Sequence, residues 1–199
     1  AVVQWRDVEP REGAYDFSPL DRALDELGAR KLPATVQING NRRPDWLFDV
    51  VPHIPEKISH QTADEKGTLM FWHPRHERAY RNLLAALARH LEASPHRERI
   101  LGVRLNFNAL GTEHFPSRKD DVSPGRWIAP AGVEPGPAWS PEIGVAYKRA
   151  VVDAFVREFT PALAVFVRNN VDDDVRAAYR REFETGRLCW FHTSTEAEP

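Results

Sequence analysis

The residues most suited to chemistry follow an apolar stretch in the middle of the sequence. The stretch from Ile100 to His114 opens as a β-branched, apolar run, which is typical of a buried strand. Polar side chains collect at its end: Asn106, Asn108, Thr112, Glu113 and His114. A buried strand that carries polar side chains at its C-terminal end is how α/β barrels build active sites. The chemistry indicated is acid–base catalysis by Glu113, and the alternative is a loop carboxylate paired with Arg104 or Arg118.

The elements that must position these residues read as strands alternating with helices. The predicted strands are residues 1–5, 34–39, the run from 100, 163–170 and 188–192. The predicted helices are 18–28, 74–93, 140–159 and 172–186. This alternation is typical of a mainly parallel sheet. At 199 residues the chain suits one domain, but it is short for a complete eight-stranded barrel of about 250 residues. We therefore predict an α/β fold over 1–199, a partial (β/α)8 barrel with long loops at about 47–71 and 115–139.

Two helices have a marked start in the sequence. Ser18 precedes Pro19, and Ser140 precedes Pro141. A serine side chain can cap the first turn, and the proline ring fixes a backbone angle suited to that turn. Both serines are therefore predicted to be N-caps.

Polar residues follow each predicted strand, and in a parallel sheet these ends share the edge where ligands bind. The candidate hydrogen-bonding residues for a ligand are Asn39, Asn41, Arg42, Asn106, Asn108, His114, Asn169, His192 and Glu196. The candidates for stacking against an apolar ligand face are Trp5, Trp46 and Trp72. Each has a structural alternative, which is turn chemistry for asparagine and core packing for tryptophan. Glu9 is expected to stabilise the turn before Gly13.

Composition excludes several classes of function. The net charge is −2 with acids and bases interspersed, which argues against an electrostatic nucleic-acid binder. No apolar stretch approaches the roughly 20 residues that span a bilayer. The lone Cys189 rules out an internal disulfide and argues against a cysteine-based zinc site. His73 and His76 have the spacing of metal ligands without a third partner, so we expect no metal and no cofactor. The compartment and the oligomeric state stay open.

Three segments resemble a known family of enzymes. Trp5–Asp21, which reads WRDVEPREGAYDFSPLD, resembles the W…EP…G.YDFS.LD segment of clan A glycoside hydrolases, especially the β-galactosidase-like and agarase-like barrels. Arg43–Leu47, which reads RPDWL, resembles their P-x-W-L segment after the third strand. The Ile100 strand then takes the place of the fourth strand, whose end carries the acid/base glutamate. The resemblance implies a retaining hydrolase of β-linked galactosides or a related polysaccharide, with Glu113 as general acid/base.

The sequence departs from the family pattern in two ways. Thr112 precedes Glu113 where the family usually has asparagine, and Asn106 or Asn108 is the candidate substitute. The family nucleophile follows strand seven, whereas this chain accounts for strands two to six. We therefore expect a fragment that is truncated at its N-terminus, poorly soluble and inactive alone. Glu196 is the alternative second carboxyl if the strand count is wrong by one.

Two other functions stay open at this stage. A barrel that binds carbohydrate without cleaving it would tolerate the missing asparagine before Glu113. A barrel lyase or isomerase would use Glu113 as a proton-transfer base. Barrels host many chemistries, so the fold does not choose between these functions and hydrolysis.

Overall fold

A computed structural model describes residues 1–59, 66–110, 126–168 and 173–191. The strands are β1 (Val2–Gln4), β2 (Ala34–Asn39), β3 (His53–Ile54), β4 (Thr68–Leu69), β5 (Ile100–Arg104), β6 (Ala164–Arg168) and β7 (Leu188–Phe191). The helices are α1 (Trp5–Val8), α2 (Ser18–Ala29), α3 (Leu47–Val50), α4 (Pro74–Glu92), α5 (Pro141–Phe159), α6 (Asp173–Ala178) and α7 (Arg180–Glu184). A short 3₁₀ turn, Arg97–Arg99, leads into β5.

The main sheet has five strands in the order β1-β2-β5-β6-β7, and every neighbouring pair is parallel. Helices connect the strands, as parallel pairing requires. The prediction of an α/β fold with parallel strands is confirmed. Within the described residues β1 and β7 each have one neighbour, so the sheet is open, as expected of a partial barrel.

The core lies on one face of this sheet. Register places Val36 beside Val103, and Val165 beside Leu188, and all four side chains are buried. They belong to one apolar cluster with residues of α4 and α5. Side chains of alternate parity, such as Thr35 and Arg104, point to the opposite face and are half-exposed. The helices therefore cover one face, and the carboxyl ends of the strands form a common edge.

The two predicted N-caps have different outcomes. Ser140 caps α5, because its Oγ accepts a hydrogen bond from the backbone N–H of Ile143 at 3.3 Å. Ser18 is instead the first residue of α2, and the cap position is Phe17. The Ser18 backbone N–H donates to Asp16 Oδ1 at 2.9 Å, so the carboxylate of Asp16 satisfies a donor at this helix start. The prediction for Ser18 is wrong by one position.

The predicted helix 172–186 is interrupted at Tyr179, which separates α6 from α7. The Tyr179 hydroxyl donates to Asp153 Oδ1 on α5 at 2.7 Å. This bond fastens the interruption to the neighbouring helix. In the part of the chain that is described, no helix is both long enough and apolar enough to cross a membrane.

The long connection 47–71 contains more structure than the sequence indicated. It holds α3 and the antiparallel pair β3–β4. His53 of β3 also forms a bridge with Ile128, and Trp72 Nε1 donates to the carbonyl oxygen of Pro137 at 2.9 Å. The described part of the second long connection, 126–139, therefore packs on the first and on the start of α4.

Close approach of β5 and β6 yields a first prediction. A β-carbon at Gly102 would overlap the carbonyl oxygen of Ala164. We expect Gly102→Ala to lower the free energy of unfolding by about 1–3 kcal/mol, the range for overpacking. Urea denaturation followed by tryptophan fluorescence measures this. Leu101→Ala is the matched control, because Leu101 is 55% exposed and its loss should cost less than about 0.5 kcal/mol. Equal effects of the two substitutions would contradict the prediction.

Candidate active site

The carboxyl edge of the sheet brings together several of the predicted polar segments. The described parts are α1 after β1, residues 39–43 at the end of β2, and residues 105–110 after β5. Five predicted site residues lie outside the described residues: Glu113, His114, Asn169, His192 and Glu196. The geometry described below is therefore that of the carboxyl ends of β1, β2 and β5.

Residues 105–110, which we call the clamped segment, continue from β5 without forming a regular element. The Leu105 backbone N–H still donates to the Phe166 carbonyl of β6 at 2.8 Å. Beyond it, side chains hold the backbone. The Asn106 carbonyl accepts from the Tyr80 hydroxyl, and the Phe107 carbonyl accepts from the Tyr147 hydroxyl at 2.6 Å.

A buried arginine holds the next two carbonyls of the clamped segment. Arg43 has no exposed surface, and its Nη2 donates to the Asn108 carbonyl at 3.0 Å and to the Ala109 carbonyl. Arg43 comes shortly after β2, so it connects two neighbouring strand ends. Hydrogen bonds to a charged donor are stronger than neutral ones.

Asn106 and Asn108 have different roles in the clamped segment. Asn106 Nδ2 donates to the Ile38 carbonyl at 3.2 Å, and its Oδ1 accepts from the Asn108 backbone N–H at 2.8 Å. Both polar atoms of the Asn106 side chain are therefore engaged within the protein, so it is a structural residue, and the expectation that it contacts a ligand is corrected. Asn108 adopts the left-handed conformation at φ 46°, which asparagine tolerates.

The side-chain amide of Asn108 has no hydrogen-bond partner on Nδ2 or Oδ1, although the residue is fully buried. It packs against Gly40, where a β-carbon would overlap Asn108 Oδ1. The next residue along the chain, Asn41, also has a buried Oδ1 without a partner. Buried polar atoms are nearly always paired, so these three unpaired amide atoms at one sheet edge need an explanation.

The other residues after β2 show turn chemistry. Asn39 Oδ1 accepts from the Asn41 backbone N–H at 3.2 Å, which is a local Asx-type turn. Arg42 has an exposed side chain, and its backbone N–H donates to Gln4 Oε1 at 3.2 Å. Asn39 is half-buried and Arg42 exposed, so their side chains remain accessible at the edge.

Packing corrects the expectation for two of the three tryptophans. Trp5 has no exposed surface, and its Nε1 donates to Glu9 Oε2 at 2.7 Å. Trp72 is 4% exposed and lies among aromatic rings, with the Trp127 centroid 4.9 Å away. Burial excludes both from stacking on a ligand, so their structural alternative is the one observed. Trp46 is half-buried, and its Nε1 donates to the Glu9 carbonyl at 3.2 Å.

Glu9 has the structural role expected of it. Its Oε1 accepts from the Gly13 backbone N–H at 2.9 Å, and Gly13 has a φ of 72°, which suits glycine. Burial raises the pKa of Glu9, and hydrogen bonds from Trp5, Gly13 and Tyr15 oppose that rise. Burial and the neighbouring Glu9 raise the pKa of Tyr15 to about 12.

His73 and His76 do not belong to a metal site in the described structure. His73 Nδ1 accepts from the Arg75 backbone N–H at 3.3 Å and so caps α4. His76 is fully buried with its ring edge toward Trp5, at a centroid distance of 5.5 Å. Burial, and then the charge of Arg43, hold the pKa of His76 well below its usual value. Among the described residues, no three side chains of the metal-ligating types come together.

Sequence reasoning missed the residues that hold the clamped segment, namely Arg43, Tyr80 and Tyr147. In the sequence, Arg43 belongs to the RPDWL segment, and Tyr80 and Tyr147 lie within the predicted helices 74–93 and 140–159. The available signal was a tyrosine on an inward helix face, because a buried phenol usually needs an acceptor. Which backbone carbonyl accepts the bond depends on tertiary structure.

The fold and this polar edge define the class as an α/β domain with a candidate site at the carboxyl ends of parallel strands. The model of the Glyco_hydro_42 family, described as beta-galactosidase, matches residues 1–106. The chain therefore belongs to this family of glycoside hydrolases.

Individual relatives match shorter parts of the chain. Beta-galactosidase BbgII of Bifidobacterium bifidum is 31% identical over 98 residues, which is 48% of this chain and 14% of that protein. Beta-galactosidase BgaH of Haloferax lucentense is 31% identical over 67 residues, which is 34% of this chain and 10% of that protein. A beta-galactosidase structure from the psychrophilic Marinomonas ef1 aligns with 84% of this chain and 32% of that chain, at 12% identity and a TM-score of 0.48. Each alignment covers less than a third of the other protein's length.

The burial of His76 predicts a specific pH dependence of stability. Unfolding returns its pKa to about 6.5, so below that pH the unfolded chain binds more protons than the folded chain. The free energy of unfolding therefore falls as the pH falls below about 6.5, until the lower folded pKa is reached. His76→Phe keeps an aromatic ring against Trp5 and removes the proton-binding group.

When the pH is lowered from 7 to 5, the free energy of unfolding should fall in both proteins. We expect this fall to be about 1–2 kcal/mol smaller in His76→Phe than in the wild type. Urea midpoints and slopes, measured at several pH values for both proteins, test this. Identical pH dependence in the two proteins would show that His76 does not contribute.

Proposed function

We propose that this chain forms part of the active site of a retaining glycoside hydrolase that acts on β-linked galactosides. Family membership supports the hydrolase class, and the relatives named above are called beta-galactosidases. Glu113 is proposed as the general acid/base, since it follows the clamped segment by three residues in the sequence. The substrate is a carbohydrate.

The observation that carries this proposal is a set of buried amide atoms without partners at the carboxyl edge, namely Nδ2 and Oδ1 of Asn108 and Oδ1 of Asn41. An unsatisfied buried polar group costs about 1–3 kcal/mol. A sugar hydroxyl both donates and accepts hydrogen bonds, and it would satisfy the N–H and the C=O of such an amide. The two amides are thus suited to hydroxyl recognition. We propose the same role for the other polar candidates of the edge: Asn39, Arg42, His114, Asn169 and His192.

Retaining hydrolysis needs two carboxyl groups about 5–5.5 Å apart. In the proposed mechanism, protonated Glu113 gives its proton to the departing glycosidic oxygen while the second carboxylate attacks the anomeric carbon. Glu113, now ionised, then takes a proton from water, and that water releases the sugar. Within this chain Glu196 is the alternative second carboxyl, if the count of strands is wrong by one. Because the chain aligns with only 14% of its bifidobacterial relative, the test requires the full-length protein.

Glu113→Gln removes the proton donor and keeps the shape of the side chain. In the full-length protein we expect turnover of an aryl β-galactoside to fall by about 10²–10⁴-fold, the usual contribution of general acid–base catalysis. Added azide, which attacks the glycosyl-enzyme without a general base, should restore turnover and give a β-galactosyl azide.

The matched control is Glu98→Gln, because Glu98 is an exposed glutamate in the turn before β5. It should leave turnover within twofold of the wild type. A less than tenfold effect of Glu113→Gln would overturn the assigned role. Tight galactoside binding with no turnover in the wild type would favour the carbohydrate-binding alternative.

Asn108→Gly tests hydroxyl recognition, since glycine accepts the positive φ of Asn108 and removes the amide. We expect KM for the galactoside to rise about tenfold, the loss of one good hydrogen bond of about 1.4 kcal/mol. Stability should change by less than about 1 kcal/mol, because the amide has no partner to lose in the resting protein. Steady-state kinetics and urea denaturation measure the two effects. A loss of stability without a change in KM would contradict the recognition role.

A further inference from the structure

The backbone of the clamped segment is held by side chains rather than by a neighbouring strand. Four consecutive carbonyls, from Asn106 to Ala109, accept hydrogen bonds from Tyr80 of α4, Tyr147 of α5 and Arg43 after β2. Three separate elements therefore converge on four residues. In a regular strand, backbone N–H groups of the neighbouring strand would pair with these carbonyls. Here side chains pair with them instead, and these bonds determine the backbone path of the clamped segment.

Burial makes these bonds hard to replace. Asn106, Phe107, Asn108 and Ala109 are at most 1% exposed, so water cannot substitute for a lost donor without rearrangement. Burial raises the pKa of both tyrosines, well above the usual value for Tyr80. Each phenol therefore stays protonated at neutral pH and keeps its donor.

The clamped segment sets the position of Asn108. The Asn108 backbone is fixed on both sides, since its N–H donates to Asn106 Oδ1 and its carbonyl accepts from Arg43. Its unpartnered amide can meet a ligand in a defined orientation only while this backbone holds.

We propose that Tyr80 and Tyr147 are positioning residues for the reaction, and that their hydroxyls orient Asn108 by holding the carbonyls of Asn106 and Phe107. This inference rests on the proposed hydrolase function. Neither tyrosine needs to contact the substrate. Their effect on turnover passes through the backbone, which separates this role from that of a catalytic residue.

The experiment compares three Tyr→Phe substitutions in the full-length protein. Tyr80→Phe and Tyr147→Phe each remove one hydroxyl from the clamp. Tyr179→Phe is the matched control, because the Tyr179 hydroxyl also donates to a backbone carbonyl, that of Arg149, and to Asp153, in the region where α5 and α6 meet. The readouts are kcat and KM on an aryl β-galactoside, thermal midpoint, and amide hydrogen exchange over residues 105–110.

We expect Tyr80→Phe and Tyr147→Phe each to lower kcat by about 10–100-fold and to raise exchange in residues 105–110 at least tenfold. Tyr179→Phe should lower the thermal midpoint to a similar extent while kcat and exchange in residues 105–110 stay within twofold of the wild type. Equal kcat in all three variants would overturn the proposal and leave the tyrosines a purely structural role.

Hydrogen exchange separates this proposal from the proposed function. A wild type that cleaves no glycoside would overturn the hydrolase assignment, and exchange would then test the clamp alone. Raised exchange confined to residues 105–110 in Tyr80→Phe and Tyr147→Phe would support the positioning of Asn108. Unchanged exchange there would overturn it.

Discussion

The buried guanidinium of Arg43 is the interaction on which the candidate site depends. A charge removed from water is costly unless hydrogen bonds replace its hydration. Arg43 Nη2 donates to two carbonyls of a segment that has left the β ladder, and these bonds replace part of the hydration that the guanidinium and the carbonyls lose on burial. The bond ties the end of β2 to the end of β5. Removing either partner would leave buried polar groups unsatisfied, which costs more than the bond itself contributes.

The charge of Arg43 also constrains its surroundings. His76 is fully buried nearby, and a second positive charge there would repel the guanidinium. The low pKa of His76 keeps the imidazole neutral, and its ring then packs edge-on against Trp5. Trp5 in turn donates to Glu9, which holds the Gly13 turn. Trp5, Glu9 and Gly13, which belong to the N-terminal segment that resembles the family, are therefore connected to one another by hydrogen bonds.

The sequence predicted the architecture because periodicity and turn residues report local structure. Strand β2 has the predicted bounds, and Pro74 starts α4 as expected. Trp5 was ambiguous for a physical reason, since an indole suits both a core and a sugar face, and only tertiary packing chooses. Asn106 and Asn108 are two residues apart and of one type, yet one is fully paired and the other unpaired. That difference depends on Ile38 and Gly40, which are about 70 positions away in sequence.

Glu9 and His76 both contact the indole ring of Trp5, and burial disfavours the charged form of each. The pKa of Glu9 is higher in the folded than in the unfolded chain, so Glu9 makes stability fall as the pH rises above the unfolded pKa. The pKa of His76 is lower in the folded chain, so His76 makes stability rise with pH up to the unfolded pKa. Neither group stabilises the fold through its own ionisation equilibrium. Glu9 instead contributes by holding Trp5 and the Gly13 turn in place, through hydrogen bonds that an apolar residue could not make. The buried Glu9 and His76 thus lower stability through their ionisation equilibria, while the hydrogen bonds of Glu9 hold one arrangement of Trp5 and of the Gly13 turn.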